Sequence, residues 1–193
     1  MQGGGCVANR TQIVCLHEGE AGKSVDPVFI NRLIRSLKPA WVQPWGSNWV
    51  RLEPCGGRKN LVEVFPKKLE EVLDAGGNTT LMVWADLDHD MPDGDALRNE
   101  FWSEAQRQRV ARGAFDQVVF VFAKDRIENW IQFLMTGATD ESQQGPRLRD
   151  NKQAADAARR LAEHCSRGAP ILNIPPSLEW SCRNWQSLKE RMR

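Results

Sequence analysis

Acidic residues follow an apolar segment in the middle of the sequence. Asp86 and Asp88 come directly after the apolar run at residues 80–85, and Asp90 lies two positions further on. The run is typical of a buried strand, so both carboxylates emerge at its carboxyl end. Such oxygen ligands suit Mg²⁺ or Mn²⁺, and a cation would offset the repulsion between them. The alternative is an acidic loop exposed to water.

A second acidic strand end lies near the start of the chain. The apolar run at residues 12–16 is followed by Glu18 and Glu20, a glycine-containing turn, and apolar residues at helical spacing over 28–37. Strand, turn and helix in this order open an α/β unit, in which parallel strands bring their carboxyl ends to one edge of the sheet. The pattern therefore predicts that both acidic groups share an edge. Glu18 and Glu20 are both candidates for the site, and we favour Glu18.

A glycine-rich turn separates these two segments. Residues 49–52 are predicted to form a strand, and apolar residues at helical spacing over 61–73 predict the helix that follows the turn. Gly56 and Gly57 would let backbone N–H groups approach an anion, and Arg58 and Lys59 add positive charge. This pattern predicts a phosphate-binding turn. The alternative is a helix entry with solvated basic residues.

Taken in order, these motifs resemble the TOPRIM superfamily, a metal-binding domain shared by primases, topoisomerases and OLD-family nucleases. The resemblance rests on Glu18-Gly19, Gly56-Gly57-Arg58-Lys59-Asn60 and Asp86-Leu87-Asp88. A fourth apolar run, at 118–123, leads into Ile127-Glu128-Asn129-Trp130, which is similar to an element of small stand-alone TOPRIM-like proteins, several of them from bacterial anti-phage systems. The resemblance covers about residues 12–135. It implies an α/β fold of the TOPRIM-like (Rossmann-like) kind, in which helices flank a mostly parallel sheet and a helical extension follows at the C-terminus.

The resemblance also implies an activity, a divalent-metal-dependent nuclease cleaving DNA or RNA in anti-phage defence. Asp86 and Asp88 would hold Mg²⁺ or Mn²⁺, and Glu18 would act as a ligand or as a general base. Candidates for a second metal are Asp90 and Glu128. The phosphate would be bound by Gly56, Gly57, Arg58, Lys59 and Lys152.

Two other functions stay open. One is a catalytically weak TOPRIM-like subunit that binds a larger ATPase or nuclease partner. The other is a nucleotide hydrolase, because residues 19–24 resemble a phosphate-binding loop. The spacing of that loop, however, requires glycine at position 17, where this chain has His17.

The length of the chain limits the number of domains, and the distribution of charge indicates the class of substrate. The 193 residues predict one domain, with a flexible N-terminus at 1–11, the metal-binding core at 12–135, and a loop plus helical part at 136–193 that completes it. The net charge is only +1, but ten of the 26 Lys and Arg residues and five of the 25 Asp and Glu residues lie after residue 146. A basic C-terminal part beside an acidic core suits a nucleic acid substrate.

The expected partners are therefore a nucleic acid substrate and either an ATPase partner protein or further copies of the chain. Five cysteines without zinc spacing, and no apolar run long enough to span a bilayer, predict a cytoplasmic protein with no membrane partner.

The C-terminal part is predicted to contain two helices around a strand. Asp150 would cap the first helix, residues 171–174 would form the strand, and Ser177 would begin the last helix. The loop at 136–149 is either a mobile flap over the site or a disordered connection.

Overall fold

The chain folds around a four-stranded parallel sheet. The computed structural model describes residues 10–19, 24–40, 42–76, 78–148, 150–167 and 171–191. The strands are β1 Thr11–His17, β2 Val50–Pro54, β3 Asn78–Leu87 and β4 Val119–Lys124, in the order β2-β1-β3-β4. Every neighbouring pair is parallel, which confirms the predicted α/β fold with a parallel sheet flanked by helices.

Seven helices accompany the sheet in the described part of the chain. They are α1 Asp26–Leu37, α2 Arg58–Asp74, α3 Gly94–Arg107, α4 Arg112–Phe115, α5 Ile127–Thr136, α6 Asn151–Arg167 and α7 Pro176–Arg191. None of these helices combines the length and the apolar character that a membrane crossing requires.

Alternating strand residues build two cores, one on each face of the sheet. On one face, Cys15 of β1 and Trp84 of β3 pack with α1, α5, α6 and α7. On the other face, Leu16 of β1 and Val83 of β3 pack with α2, α3 and α4. The result is a three-layer arrangement that leaves the carboxyl edge of the sheet to the connecting loops.

The structure differs from the sequence-based expectations in two segments. Residues 171–174, predicted to be a strand, form a turn instead, in which Asn173 has a positive φ of 53°. Helix α3 was not predicted, although its N-cap Asp93 accepts a hydrogen bond from the Ala96 N–H. Asp150 caps α6 as predicted, since its side chain accepts from the Lys152 N–H, whereas α7 begins at Pro176, one residue before the predicted Ser177.

Helix α7 covers the outer edge of β4 with two serines. Ser181 Oγ accepts from the Phe122 N–H at 3.0 Å and donates to the Phe122 carbonyl at 3.1 Å. Ser177 Oγ accepts from the Lys124 N–H at 3.1 Å. These bonds satisfy backbone groups that a neighbouring strand would otherwise pair, so β4 is a protected edge.

Candidate functional site

Glu18 joins two loops at the carboxyl edge of the sheet. Its Oε1 accepts from the Arg58 N–H and its Oε2 accepts from the Asp86 N–H, each at 3.1 Å. This arrangement follows from the order of the strands, because β1 lies between β2 and β3. The side chain therefore connects the turn after β2 to the end of β3.

Replacing Glu18 by Gln should destabilise the fold. The amide offers one acceptor oxygen and a donor NH₂ group, so one of the two backbone N–H groups loses its partner. An unsatisfied buried donor costs about 1–3 kcal/mol. Both N–H groups are part-buried, and removing a charge whose pKa is raised by burial offsets part of the cost at neutral pH, so we expect a loss at the low end of this range in the free energy of unfolding measured with urea. Glu70→Gln, on an exposed part of α2, is the matched control and should change stability by no more than about 0.5 kcal/mol. Equal stabilities of the two variants would contradict the role of Glu18.

Asp86 stands at the centre of a group of carboxylates. Burial raises its pKa well above the ordinary range, and the negative charges of Asp26, Glu18, Glu128 and Asp88 raise it further. Its own backbone N–H is bonded to Glu18. The structure thus brings four separate strand or helix ends, those of β1, β3, α1 and α5, to one acidic group.

The neighbouring acids show the same effect. Burial is the largest cause of the raised pKa of Glu18, Asp26 and Glu128. The charge of Asp26 also raises the pKa of Glu128, whereas Arg126 and the Leu148 backbone N–H lower it. Negative charge is therefore concentrated at this edge in a partly desolvated place, where a cation would be favourable.

Asp26 and His17 belong to this edge and were missed from the sequence. His17 is only 1% exposed, burial lowers its pKa, and its Nδ1 has no hydrogen-bond partner among the residues that the structure describes. A methyl group built on Gly19 would lie 3.3 Å from His17 Nδ1 and 3.0 Å from Asp26 Oδ2, so the absence of a side chain at this position leaves room for both groups. A signal for Asp26 was present, since it begins the helix that directly follows the acidic turn.

Asp88 and Asp90 are turned toward a basic side chain. Arg58 Nη1 lies 2.9 Å from Asp88 Oδ2, and Arg58 Nη2 lies 3.9 Å from Asp90 Oδ2. Lys124 Nζ donates to the Asp88 and Met91 carbonyls at 3.0 and 2.7 Å, which holds the loop after β3 against β4. Arg58 therefore supplies positive charge beside two predicted metal ligands.

In the glycine turn, backbone N–H groups that were expected to approach an anion bind Glu18 instead. Gly56 and Gly57 have φ of 70° and 122°, conformations that favour glycine. The Gly57 N–H donates to the Glu18 carbonyl and the Arg58 N–H to the Glu18 carboxylate. Glu18 therefore takes the Gly57 and Arg58 N–H groups, which were expected to approach an anion.

The other predicted basic residues are more exposed. The Lys59 side chain is 88% exposed and lies 3.9 Å from Glu63. Lys152 is exposed in the first turn of α6, which follows the segment that contacts Glu128 through Leu148. Neither lysine forms an ion pair with the carboxylates around Asp86 in the described part of the structure.

The loop after α5 is anchored beside the site. The Gly145 N–H donates to Asp125 Oδ2 at 3.0 Å, and the Glu141 carboxylate accepts from the Ser177 N–H and hydroxyl. Asp125 itself follows β4 with a positive φ of 60°. The described residues of this loop are thus bonded to the sheet edge and to α7, unlike a free flap.

The site is rich in oxygen ligands but is not a preformed cage. Among the residues that the structure describes, no group of three or more His, Cys, Asp or Glu side chains is arranged to hold a metal ion. Glu20, the alternative to Glu18, lies outside the described residues, as does most of the predicted flexible N-terminus and of the loop-like segment at 19–24.

Comparisons of the chain with family models, with curated proteins and with solved structures found no match.

Proposed function

We propose that the chain is a divalent-metal-dependent nuclease of the TOPRIM type, which cleaves phosphodiester bonds of DNA or RNA in bacterial anti-phage defence. The observation that supports this proposal best is the concentration of carboxylates around Asp86 at the carboxyl edge of the sheet. Ligand sites of open parallel α/β sheets lie at this edge. The setting in anti-phage defence rests on the resemblance of the motifs alone.

The donor set fits Mg²⁺ or Mn²⁺. Carboxylate oxygens are the ligands that these hard cations prefer, and Asp86, Glu18 and Asp88 can supply them, with Glu128 and Asp90 beside them. A bound cation would also offset the repulsion that raises the pKa of Asp86. The cation would supply a Lewis acid for the phosphate and lower the pKa of water at the site.

Other side chains would supply a general base and bind the phosphate. Glu18 and Glu128 have pKa values raised by burial, which brings each closer to the range of a general base at neutral pH. Arg58, which pairs with Asp88 in this structure, would leave it to bind a phosphate oxygen of the substrate. Lys59 and Lys152 add positive charge near a nucleic acid backbone.

The proposal is tested with the purified chain. Transfer RNA, single-stranded DNA and duplex DNA are each incubated with Mg²⁺, with Mn²⁺ or with EDTA, and the products are separated on denaturing gels. We expect cleavage of at least one substrate with a metal and none with EDTA. Cleavage of no substrate with either metal would overturn a nuclease that is active by itself.

Metal binding should also raise the melting temperature. A ligand at 100 times its Kd stabilises the native state by about 2.7 kcal/mol, which corresponds to about 5–10 °C for a chain of this size. Asp88→Asn should shrink that shift, whereas Asp74→Asn, on the exposed end of α2, should leave it unchanged. The same metal response in both variants would count against Asp88 as a ligand.

The ion pair of Arg58 supports a second candidate function, a catalytically weak subunit. Its guanidinium already neutralises Asp88, and no three-ligand group is formed in the described residues. These observations favour a catalytically weak subunit whose site is completed by a larger ATPase or nuclease partner. A metal-dependent rise in melting temperature without cleavage would favour this subunit over the nuclease.

A further inference from the structure

The two edge strands of the sheet, β2 and β4, differ in what covers their outer sides. The outer edge of β4 is covered by the serines of α7, but no described strand pairs with the outer side of β2. An open edge strand offers unpaired N–H and C=O groups to another chain.

The backbone bonds of β2 show which residues face outward. The Trp49 carbonyl accepts from the Ile13 N–H at 2.7 Å, and the Cys55 N–H donates to the His17 carbonyl at 2.9 Å. Positions 49, 51, 53 and 55 therefore direct their backbone groups to β1, because the direction alternates along a strand. Val50, Leu52 and Pro54 direct theirs to the open side. Proline has no N–H, so the ladder that this edge can form is short.

We propose that a second copy of the chain pairs with this edge, antiparallel, with the two-fold axis at Leu52. This register places Leu52 opposite Leu52 of the partner subunit, where both residues have outward N–H and C=O groups. Arg51 then lies opposite Glu53 of the partner subunit, and Glu53 lies opposite Arg51 of the partner subunit. The edge is thus complementary in charge to itself, as a symmetric interface requires.

The surface beside β2 has the same self-complementary character. Arg51 and Glu53 already form an ion pair at 2.7 Å within one chain, so both side chains lie on the same face of the strand. On that face a groove is lined by Pro54, Val64, Lys67 and Glu71. Val64 is 43% exposed, and Lys67 is exposed beside Glu71, which already lies 2.7 Å from Lys68 of the same chain.

Charge reversal tests the register. We expect the wild-type chain to sediment at twice the mass of one chain, 21.9 kDa, and Arg51→Glu and Glu53→Arg each to sediment as monomers. An equimolar mixture of the two variants should regain the dimer mass, because the acidic edge of one variant meets the basic edge of the other. A monomeric wild-type chain across the concentration series would overturn the proposal, as would dimers that persist in both single variants.

A cysteine at the axis gives a measurement that leaves the charges unchanged. Opposite residues of a hydrogen-bonded antiparallel pair have Cα atoms about 5.5 Å apart, within the range of about 4.4–6.8 Å that a disulfide spans. With oxidised glutathione as the electron acceptor, Leu52→Cys should form a cross-linked dimer that a reductant reverses. Leu172→Cys, at a position 81% exposed, and the wild-type chain should not. Equal cross-linking of Leu52→Cys and Leu172→Cys would overturn the register. Neither measurement depends on cleavage or on a metal, so the result is independent of the proposed function.

Discussion

Asp86→Asn is expected to remove metal-dependent cleavage while leaving the fold intact. Asparagine keeps the volume of aspartate but removes the charge at the centre of the carboxylate group. Loss of a residue that only supports metal ligands commonly lowers affinity or activity by about 10–100-fold, so loss of a direct ligand should lower cleavage by at least that much. Cleavage is measured at saturating Mn²⁺, with far-UV circular dichroism as the check on folding.

The same variant should be more stable than the wild-type chain without metal at neutral pH. Because the folded state raises the pKa of Asp86, protonated Asp86 favours folding at low pH, and that contribution is lost as the pH rises through the folded pKa. The stability advantage of Asp86→Asn should therefore be present at pH 7 and shrink as the pH falls toward the ordinary pKa of about 3.9. Asp74→Asn, on an exposed helix end, should show no such dependence and full cleavage. Full cleavage by Asp86→Asn would remove Asp86 from the site.

Glu128→Gln should lower cleavage by about 10²–10⁴-fold, the usual contribution of a general base. Glu128 lies in the first turn of α5, it is partly buried, and burial raises its pKa. Its charge and that of Asp26 act on each other and on Asp86, so it faces the same edge of the sheet. The amide keeps the shape of the side chain but cannot accept a proton from water.

A structural role of Glu128 predicts a different result. An acid in the first turn of a helix is stabilised by the helix dipole by only about 0.3–1 kcal/mol. If that is its only role, Glu128→Gln should lose no more than this amount of stability and should cleave at the wild-type rate. Glu100→Gln, an exposed position on α3, is the control for the loss of one negative charge. Measuring rates and unfolding free energies of both variants separates the two roles.

The sequence predicted the four strands in their order along the chain and the places where acids follow strands, but it did not predict α3 or α4. Alternating or continuous apolar runs at residues 12–16 and 80–85 become β1 and β3, and helical spacing over 61–73 becomes most of α2. These features are local, because a strand or helix that packs against a core needs its apolar residues at a fixed spacing along the chain. Glu18 and Asp86 were predicted in this way, because each stands at the end of an apolar run, and Glu128 was predicted from the resemblance and from its place at the start of a helix.

The tertiary structure decided which of these groups meet. Whether Glu18 bonds to the backbone of Arg58 and Asp86 depends on β1 lying between β2 and β3, and no spacing in the sequence states that order. Asp26 joins the carboxylates only because α1 packs on the same face of the sheet as Trp84 and α5. Residues 171–174 were wrongly predicted to form a strand, because their apolar sequence does not show whether a sheet edge is open to them. The edge of β4 is covered by the serines of α7. Local periodicity determines the elements, whereas contacts between residues distant in the chain depend on how the two faces of the sheet are packed.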